Sequence, residues 1–473
     1  MPNKELKLAQ GQGRGIDRIS WLPDEILWRI LSLLRSSDEV VRTGVLSTKW
    51  KNIWVEVGNL DIDNGYFRRI KHKFEQEKQQ MEKSLVNYIN KMVNRYDYPC
   101  IERLCLSISS SASSTILNRL LAERDVRHLE VCFHENQVAS LPESLFISTT
   151  LVVLKLKTDY LETSTTIWLP SLKTLHLNIL KSFITQHLED FLPRCPSLEE
   201  LLIKSRDVKK HVSQDLDLLI QIPTLKRCGL EFVDNGDVTK GGSYKLVHRV
   251  AINAPRLEYL WVRDYQTGLY SLFSTGICNL VEAHVDWQPI YNKNKSSIPD
   301  IMNLYMLLNR LKFAKVLSLS GHTIQWLNLS FHLKGKLETF KRLMKLELNV
   351  AGDINCEFLA KFLSYTPNLE YLILANKVCS GLYVNPNDRG RWTPPEGVPI
   401  CVLFHLKEII VEGLHKGYEV EAVKYLLQHS RVLNRLTINC TDVVELDAFK
   451  DISRAPRGSV TSEIILQACY DDE

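Results

Sequence analysis

The fold of this chain is decided by a short segment, Leu169-Pro170-Ser171-Leu172-Lys173-Thr174-Leu175-His176-Leu177, whose pattern returns along the sequence. The pattern is a polar or proline-containing approach, a leucine, two polar positions and then alternating apolar residues. Clear further copies are Cys195-Pro196-Ser197-Leu198-Glu199-Glu200-Leu201, Ala254-Pro255-Arg256-Leu257-Glu258-Tyr259-Leu260 and Thr366-Pro367-Asn368-Leu369-Glu370-Tyr371-Leu372. Alternation of period two predicts one short strand per copy, with leucines on the buried side. A single copy cannot bury that side, so stacking of the copies is expected.

The spacing of the copies is typical of leucine-rich repeats. Leu172 and Leu198 are 26 positions apart, as are Leu343 and Leu369, within the 20 to 29 of that class. Leu225 to Leu257 is 32 and Leu257 to Leu280 is 23, so the repeats are irregular. We predict an irregular solenoid over residues 100–391 whose outward strand positions line a concave binding face. The residues that bind a substrate stay unknown, because a lone polar position such as His176 or Glu200 is more often only solvated.

One stretch inside the repeats lacks a clean copy of the pattern. Residues 264–300 carry Tyr265, Tyr270, Trp287 and Tyr291. We interpret this stretch as a long loop, either functional or the edge of a disordered insertion.

Composition restricts the classes of function. The 473 residues carry 59 basic and 55 acidic side chains, a net charge of +4, which gives no strong field for nucleic acid or an anionic membrane. The 11 cysteines are scattered without metal-ligand spacing and indicate reduced, mostly packed thiols. No phosphate-binding loop, zinc motif or nucleophile motif is found, and no apolar run is long enough to span a membrane. We therefore expect a cytoplasmic or nuclear protein with no cofactor, no metal and no catalytic residues.

The N-terminus predicts a bundle of three short helices. Pro23 stands at a helix start, followed by Asp24 and Glu25, whose charges suit the positive end of the helix dipole. Ile26, Leu27, Ile30, Leu31 and Leu34 then recur at helical spacing. A capping box at Ser36 and Glu39 predicts a second helix, and Ser47 before Trp50 and Trp54 predicts a third. A bundle this small and this aromatic favours a partner that covers it.

These residues resemble a plant-type F-box. The resemblance rests on Asp17-Arg18-Ile19-Ser20-Trp21-Leu22-Pro23-Asp24-Glu25-Ile26-Leu27 and on Val45-Leu46-Ser47-Thr48-Lys49-Trp50-Lys51-Asn52-Ile53-Trp54. In that family the two segments form the face that docks on the Skp adaptor, which binds a cullin. The resemblance implies the following docking residues: Leu22, Pro23, Ile26, Leu27, Ile30, Leu46, Ser47 and Trp50. For any single leucine or isoleucine among them, packing in the bundle's own core is an equal alternative.

The C-terminus resembles the FBD domain that ends many plant F-box/leucine-rich-repeat proteins. Trp392-Thr393-Pro394-Pro395 opens it, with Val398-Pro399-Ile400-Cys401 close behind, and strands are predicted at 405–413 and 432–438 around a helix at 419–429. The prolines forbid a continuing helix or central strand. The physical reading is a cap that seals the apolar end of the repeats.

The expected fold is therefore mixed α/β, with a three-helix F-box, an irregular leucine-rich-repeat solenoid and an FBD cap. The expected boundaries are 1–15 for a disordered N-terminus, 16–60 for the F-box, 61–99 for a linker and capping helix, 100–391 for the solenoid and 392–473 for the FBD domain. The family resemblance implies a non-catalytic substrate receptor of an SCF-type (Skp-cullin-F-box) ubiquitin ligase that binds a Skp-type adaptor, through it a cullin, and an unknown target protein. Two alternatives stay open: a small-molecule-dependent receptor of the plant hormone-receptor type, and a repeat scaffold outside ubiquitylation.

Overall fold

The computed structural model describes residues 19–34, 37–53, 59–62, 87, 90, 94, 100–108, 111–133, 142–161, 166–182, 185–205, 216–233, 248–265, 269–272, 279–288, 298–330, 337–349, 356–375, 397–413, 418–440 and 443–468. Residues 1–134 and 135–473 form two compact units. The predicted disordered N-terminus lies outside the described residues. So does the predicted capping helix in 68–95, except for Asn87, Asn90 and Asn94, which are helical.

The first unit joins short helices to parallel strands. Its elements are α1 (Asp24–Ser32), α2 (Ser37–Arg42), a 3-10 turn (Thr43–Val45), α3 (Trp50–Ile53), β1 (Asn59–Ile62), β2 (Cys100–Ile108), α4 (Ser111–Glu123) and β3 (Asp125–Phe133). The strands lie in the order β1-β2-β3, and both pairs are parallel. Helix α1 begins one residue later than predicted, at Asp24, because the extended backbone of Pro23 (ψ 149°) precedes it as the N-cap.

The second unit alternates strands with helices or loops. Its strands are β4 (Val153–Tyr160), β5 (Thr174–Ser182), β6 (Glu200–Ser205), β7 (Leu216–Gln221), β8 (Arg227–Phe232), β9 (His248–Asn253), β10 (Tyr259–Asp264), β11 (Leu269–Leu272), β12 (Glu282–Trp287), β13 (Val316–Leu319), β14 (Lys345–Asn349), β15 (Tyr371–Ala375), β16 (Glu408–Glu412), β17 (Arg435–Cys440) and β18 (Glu463–Ala468). Its helices are α5 (Glu143–Phe146), α6 (Thr185–Phe191), a 3-10 turn (Leu192–Arg194), α7 (Ile298–Arg310), α8 (Gly321–Ser330), α9 (Cys356–Ser364), α10 (Ile400–Phe404), α11 (Tyr418–His429) and α12 (Val443–Ser453).

The strands of the second unit form one long parallel sheet and one short one. The long sheet runs in the order β4-β5-β6-β8-β10-β12-β13-β14-β15-β16-β17-β18, and the short sheet in the order β11-β9-β7. Their pairs are parallel. The predicted mixed α/β class is therefore confirmed.

Successive repeats are joined by a backbone hydrogen-bond chain just before each strand. The carbonyl of Lys173 accepts the N–H groups of Glu199 and Glu200 (2.8 and 2.9 Å), and the carbonyl of Glu199 accepts those of Lys226 and Arg227. The chain continues into the C-terminal segment, where the carbonyl of Glu370 accepts from Lys407 and Glu408, and that of Lys407 from Asn434 and Arg435. Strands β16 and β17 therefore extend the sheet by the same bonding as the repeats.

The core lies on the side of the sheet to which the repeat leucines point. Leu172, Leu175 and Leu198 are fully buried, and each buried leucine side chain stabilises the fold by about 2 kcal/mol. The polar residue just before a repeat leucine forms a hydrogen bond with the preceding repeat. Thr224 Oγ1 donates to the Leu198 carbonyl (2.7 Å), and Asn368 Nδ2 donates to the Lys341 carbonyl (2.8 Å).

The interpretation of 264–300 as a long loop is wrong for much of that stretch. Strands β11 and β12 occupy 269–272 and 282–287. Tyr270 and Trp287 are fully buried, with their ring centroids 5.9 Å apart, and Tyr270 donates to Asp264 Oδ2 (2.9 Å). Tyr270 and Trp287, two of the four aromatic residues of this stretch, are therefore core residues, whereas Tyr265 is half-buried. Tyr291 lies outside the described residues.

Candidate functional site

The first candidate site is a cluster of exposed apolar side chains at the N-terminus, called here the N-terminal apolar cluster. Its members are Ile19, Trp21, Ile26, Ile30, Leu33, Leu34, Val45 and Leu46. Val45 is 87% exposed. So many exposed apolar side chains within residues 19–46 are unusual for a surface that stays in water, so these residues have the character of a surface that a partner covers.

The predicted docking residues divide by depth. Pro23, Ile26, Ile30 and Leu46 are exposed, and Leu22 and Ser47 are half-buried. Leu27 and Trp50 are buried inside the unit, beneath the exposed residues. Leu27 and Trp50 therefore contribute to the core that supports the predicted docking residues that are exposed.

Hydrogen bonds join the two segments that carry the predicted docking residues. Trp50 Nε1 donates to Ser20 Oγ (3.1 Å), and the hydroxyls of Ser20 and Ser47 share a hydrogen bond (3.0 Å). Lys49 Nζ donates to the Leu22 carbonyl (2.7 Å) and forms an ion pair with Asp24 (2.8 Å). The bonds hold the start of α1 against the residues before α3.

Sequence reasoning missed several members of the N-terminal apolar cluster. The predicted docking set does not include Val45 or Leu33, and for Trp21 the sequence leaves two roles open, extension of the docking surface or capping of the bundle. A signal was present, since all three are large apolar residues beside predicted docking residues or at the end of the same helix.

The second candidate site is the exposed face of the long sheet, called here the strand face. Side chains on β6, β10, β12 and β14 alternate between buried and half-buried along each strand. His176 and Glu200 project from this face and contact each other, with His176 Nε2 2.8 Å from Glu200 Oε1. The lone polar positions of the sequence are thus members of cross-strand pairs.

A polar cavity opens on the strand face where β10, β12 and β13 end. Its volume is about 360 Å³, and Trp261, Arg263, Tyr265, Asp286, Ser318 and His322 are among the residues that line it. This volume lies at the lower end of the range for small-molecule pockets.

Charged residues cross the strand face beside this cavity in alternating sign and form what is called here the charge ladder: Lys204, Glu231, Arg263 and Asp286. Lys204 Nζ lies 2.9 Å from Glu231 Oε2, Arg263 Nη1 lies 3.5 Å from Glu231 Oε1, and Arg263 Nε donates to Asp286 Oδ2 (2.7 Å). Each residue is the direct register partner of the next on the neighbouring strand.

Asp286 is held in its ionised form. Burial raises the pKa of this carboxyl, but the facing side chains of His322, Ser320 and Gln288, together with the charge of Arg263, outweigh burial and lower the pKa to about 2. Gln288 Nε2 lies 3.1 Å from each carboxylate oxygen. Asp286 is therefore a fixed anion that orients the Arg263 guanidinium.

Buried cysteines have little thiolate at neutral pH. Burial raises the pKa of Cys195 and of Cys228 to about 12, and that of Cys401 to about 11. Since the thiolate is the nucleophile, these thiols are poor candidates for covalent chemistry.

Among the described residues, no three His, Cys, Asp or Glu side chains come together as a metal site. In the same residues, no helix has the length and apolar character to cross a membrane.

Three family models match the chain. The F-box domain matches residues 19–60, the LRR repeats of the FBD-associated F-box protein At5g56370 match 114–268, and FBD matches 394–438. The matched F-box range contains the N-terminal apolar cluster, and the matched repeat range contains Trp261 and Arg263 of the cavity wall.

Curated relatives match nearly the whole chain. The FBD-associated F-box protein At5g22730 of Arabidopsis thaliana is 28% identical over 96% of this chain and 94% of its own length. F-box/FBD/LRR-repeat protein At4g26340 of the same plant is 28% identical over 95% of this chain and 100% of its own length, and F-box/LRR-repeat protein 13 is 28% identical over 96% and 98%. The resemblance found in the sequence is confirmed by these matches.

Proposed function

We propose that this chain, which belongs to the plant F-box/FBD/leucine-rich-repeat family, is the substrate-recognition subunit of an SCF-type ubiquitin ligase. Its N-terminal apolar cluster docks on a Skp-type adaptor, which brings a cullin, and its strand face binds the target protein. The observation that carries the proposal is the exposed apolar cluster inside the matched F-box range.

The docking step follows from the energetics of apolar surface. Covering the exposed side chains of Ile26, Ile30, Val45 and Leu46 removes apolar area from water, which favours association. The hydrogen bonds of Ser20, Ser47 and Lys49 hold the two segments in place before the adaptor arrives, so little ordering cost remains. Leu27 and Trp50 support this face from beneath.

The architecture serves the same function. The helices α1, α2 and α3 act as the three-helix F-box, the strands of the second unit as an irregular leucine-rich-repeat solenoid, and the FBD segment as its closing cap. The hydrogen-bond chain that runs unbroken from the repeats into β16 and β17 supports the cap, because the FBD strands bond to the sheet as another repeat would.

The chain's contribution to ubiquitylation is to bring substrate close, since partner subunits supply the chemistry. Holding a target near the charged conjugating enzyme raises its effective concentration. The function places the chain in the cytoplasm or the nucleus, with a protein as its partner on the strand face and neither nucleic acid nor a membrane.

Reconstitution tests the proposal. The full chain is co-expressed with a Skp-type adaptor and a cullin, and the expected result is one complex on size-exclusion chromatography. Ile30→Ala with Leu46→Ala should remove both partners while Leu219→Ala, a change at an exposed leucine on β7, should not. Equal assembly by the double variant and the control would exclude the docking face.

A further inference from the structure

The charge ladder presents its cations to solvent and hides its carboxylates. The side chains of Lys204 and Arg263 are 40% and 39% exposed, whereas those of Glu231 and Asp286 are 14% and 13% exposed. The ladder is electrically balanced, yet what an approaching molecule meets first is ammonium and guanidinium. The recessed carboxylates act as fixed counter-ions.

Both cations are placed around one aromatic ring. Lys204 Nζ lies 5.6 Å and Arg263 Cζ lies 5.4 Å from the centroid of the Trp261 ring, within the distance at which a cation is attracted to an indole face. A Cβ on Gly229 would lie 2.5 Å from Leu202 Cδ1 and 3.4 Å from Trp261 Cε3. The glycine thus allows Leu202 and Trp261 to close together into an apolar shelf between the cations.

Arg263 has donors left over. Among the described residues, Asp286 accepts from its Nε at 2.7 Å, and Glu231 lies at a longer distance, 3.5 Å, from its Nη1. A guanidinium carries five N–H donors in a rigid fork, so the outer edge can donate to a further acceptor. The carboxylate of Asp286 fixes the orientation of this fork.

The nearby neutral groups also favour an acceptor ligand. Burial and the charge of Asp286 raise the pKa of Tyr265, which keeps its hydroxyl protonated at neutral pH. The hydroxyl of Ser318 lines the same cavity. Another carboxylate on β12, Glu282, is engaged by His284 at 2.7 Å.

We propose that this cavity and the strand face beside it form an anion-recognition site, in which Arg263 of the cavity wall and Lys204, which lies outside the cavity on β6 beside the Trp261 ring, receive a carboxylate or phosphate group while Trp261 packs against the apolar body of the ligand. The ligand chemistry is an oxyanion next to an apolar group, as on an acidic or phosphorylated peptide or on a small organic acid. The inference rests on the proposed function only in taking the strand face as the binding side of the molecule.

Peptide binding to the purified full chain with its adaptor tests the site. One labelled peptide with leucine at alternate positions is made in versions with glutamate, phosphoserine, glutamine or lysine between the leucines, and binding is read by fluorescence anisotropy. The glutamate or phosphoserine version should bind at least about tenfold more tightly than the glutamine version, the scale of one charge-assisted hydrogen bond. Equal or tighter binding of the glutamine or lysine version would overturn the proposal.

Two variants and one control locate the site. Lys204→Gln should weaken the acidic peptide about tenfold while Glu231 keeps Arg263 as its partner, and Arg263→Lys should weaken it by at least as much, because the charge stays but the oriented fork of donors is lost. Arg435→Gln removes an exposed cation on β17 and should change nothing. Unchanged binding of the acidic peptide by Lys204→Gln or by Arg263→Lys, in a chain that melts as a folded protein, would contradict the assignment.

The source of the anion is read from two further ligands. Inorganic phosphate and succinate are titrated by calorimetry and as competitors of the bound peptide. Competition by either at low concentration supports a free small anion, and preference for the peptide supports a target side chain. Adaptor binding is measured on the same preparation. If the chain binds the adaptor but does not prefer the acidic peptide, this site is refuted and the proposed function still stands.

Discussion

Replacing Leu27 by alanine tests how the N-terminal helices separate folding from docking. Leu27 is fully buried, whereas its neighbour Ile26 is 44% exposed. Removing a fully buried leucine side chain costs about 2 to 5 kcal/mol, because the lost transfer energy and the cavity add. Ile26→Ala deletes a similar amount of apolar side chain from a position where water already reaches, so its cost in stability should stay below about 1 kcal/mol.

The assay measures two properties of the same variants. Hydrogen exchange of amides in α1 and α3 reports local stability, and pull-down with a Skp-type adaptor reports docking. Leu27→Ala should lose both protection and docking, while Ile26→Ala should lose docking and keep protection. Similar loss of protection in the two variants would refute the assignment of Leu27 to the core and of Ile26 to the surface.

Further predictions concern the second unit. Gly458→Ala should destabilise the C-terminal segment by about 1 to 3 kcal/mol, because its Cβ would lie 2.4 Å from the backbone oxygen of Gln428 and 2.9 Å from that of Ser430. Gly397→Ala is the control, since a Cβ there would have no atom within 4 Å. Equal melting temperatures of the two variants would contradict the predicted clash at Gly458. The pKa of Asp286 in the folded chain (about 2) lies below its ordinary value of 3.8. The ionised carboxylate should therefore add about 2 kcal/mol to the free energy of unfolding above about pH 4, and this stabilisation should be lost as the pH falls through about 2. An Asp286→Asn chain with the same acid-unfolding profile as the unchanged chain would disprove this prediction. Cys228, fully buried, should resist alkylation at pH 8 until the chain unfolds, and rapid labelling of the native chain would count against its burial.

The strands of the clear repeats could be predicted because alternation is a local signal. The strands predicted after Leu172, Leu198, Leu257 and Leu369 are confirmed as β5, β6, β10 and β15. The C-terminal pattern likewise predicted β16, α11 and β17 to within a few residues. Strand β18 went unpredicted, because Glu463–Ala468 follows no repeat leucine with a proline approach.

The sequence could not predict which residues of an apolar helix face are buried and which are exposed. Ile26 and Leu27 belong to one helical stripe in the sequence, and which of them is buried depends on where the chain places later elements such as α3, which packs against α1. Helical periodicity carries no information on that distant contact.

The charge ladder had a signal that single positions do not carry. The interval of 23 between Leu257 and Leu280 is also the interval from Arg263 to Asp286, so the repeat register alone aligns these two residues. The interval of 32 from Leu225 to Leu257 likewise aligns Glu231 with Arg263. Because the repeats are irregular, the aligned charges can be found only when each interval between repeat leucines is used separately. The exposure of the two cations, which distinguishes the site, is seen only once the side chains are placed in the structure.

The affinity of the full chain for a purified Skp-type adaptor, measured for Val45→Glu against Val460→Glu, tests the central claim most directly. The two valines are 87% and 98% exposed, and the second lies just before β18. An uncompensated charge in a covered apolar interface costs about 3 to 5 kcal/mol, so Val45→Glu should weaken the complex by roughly a hundredfold or more. Val460→Glu should leave it unchanged. Equal affinities of the two variants would contradict docking through the N-terminal apolar cluster.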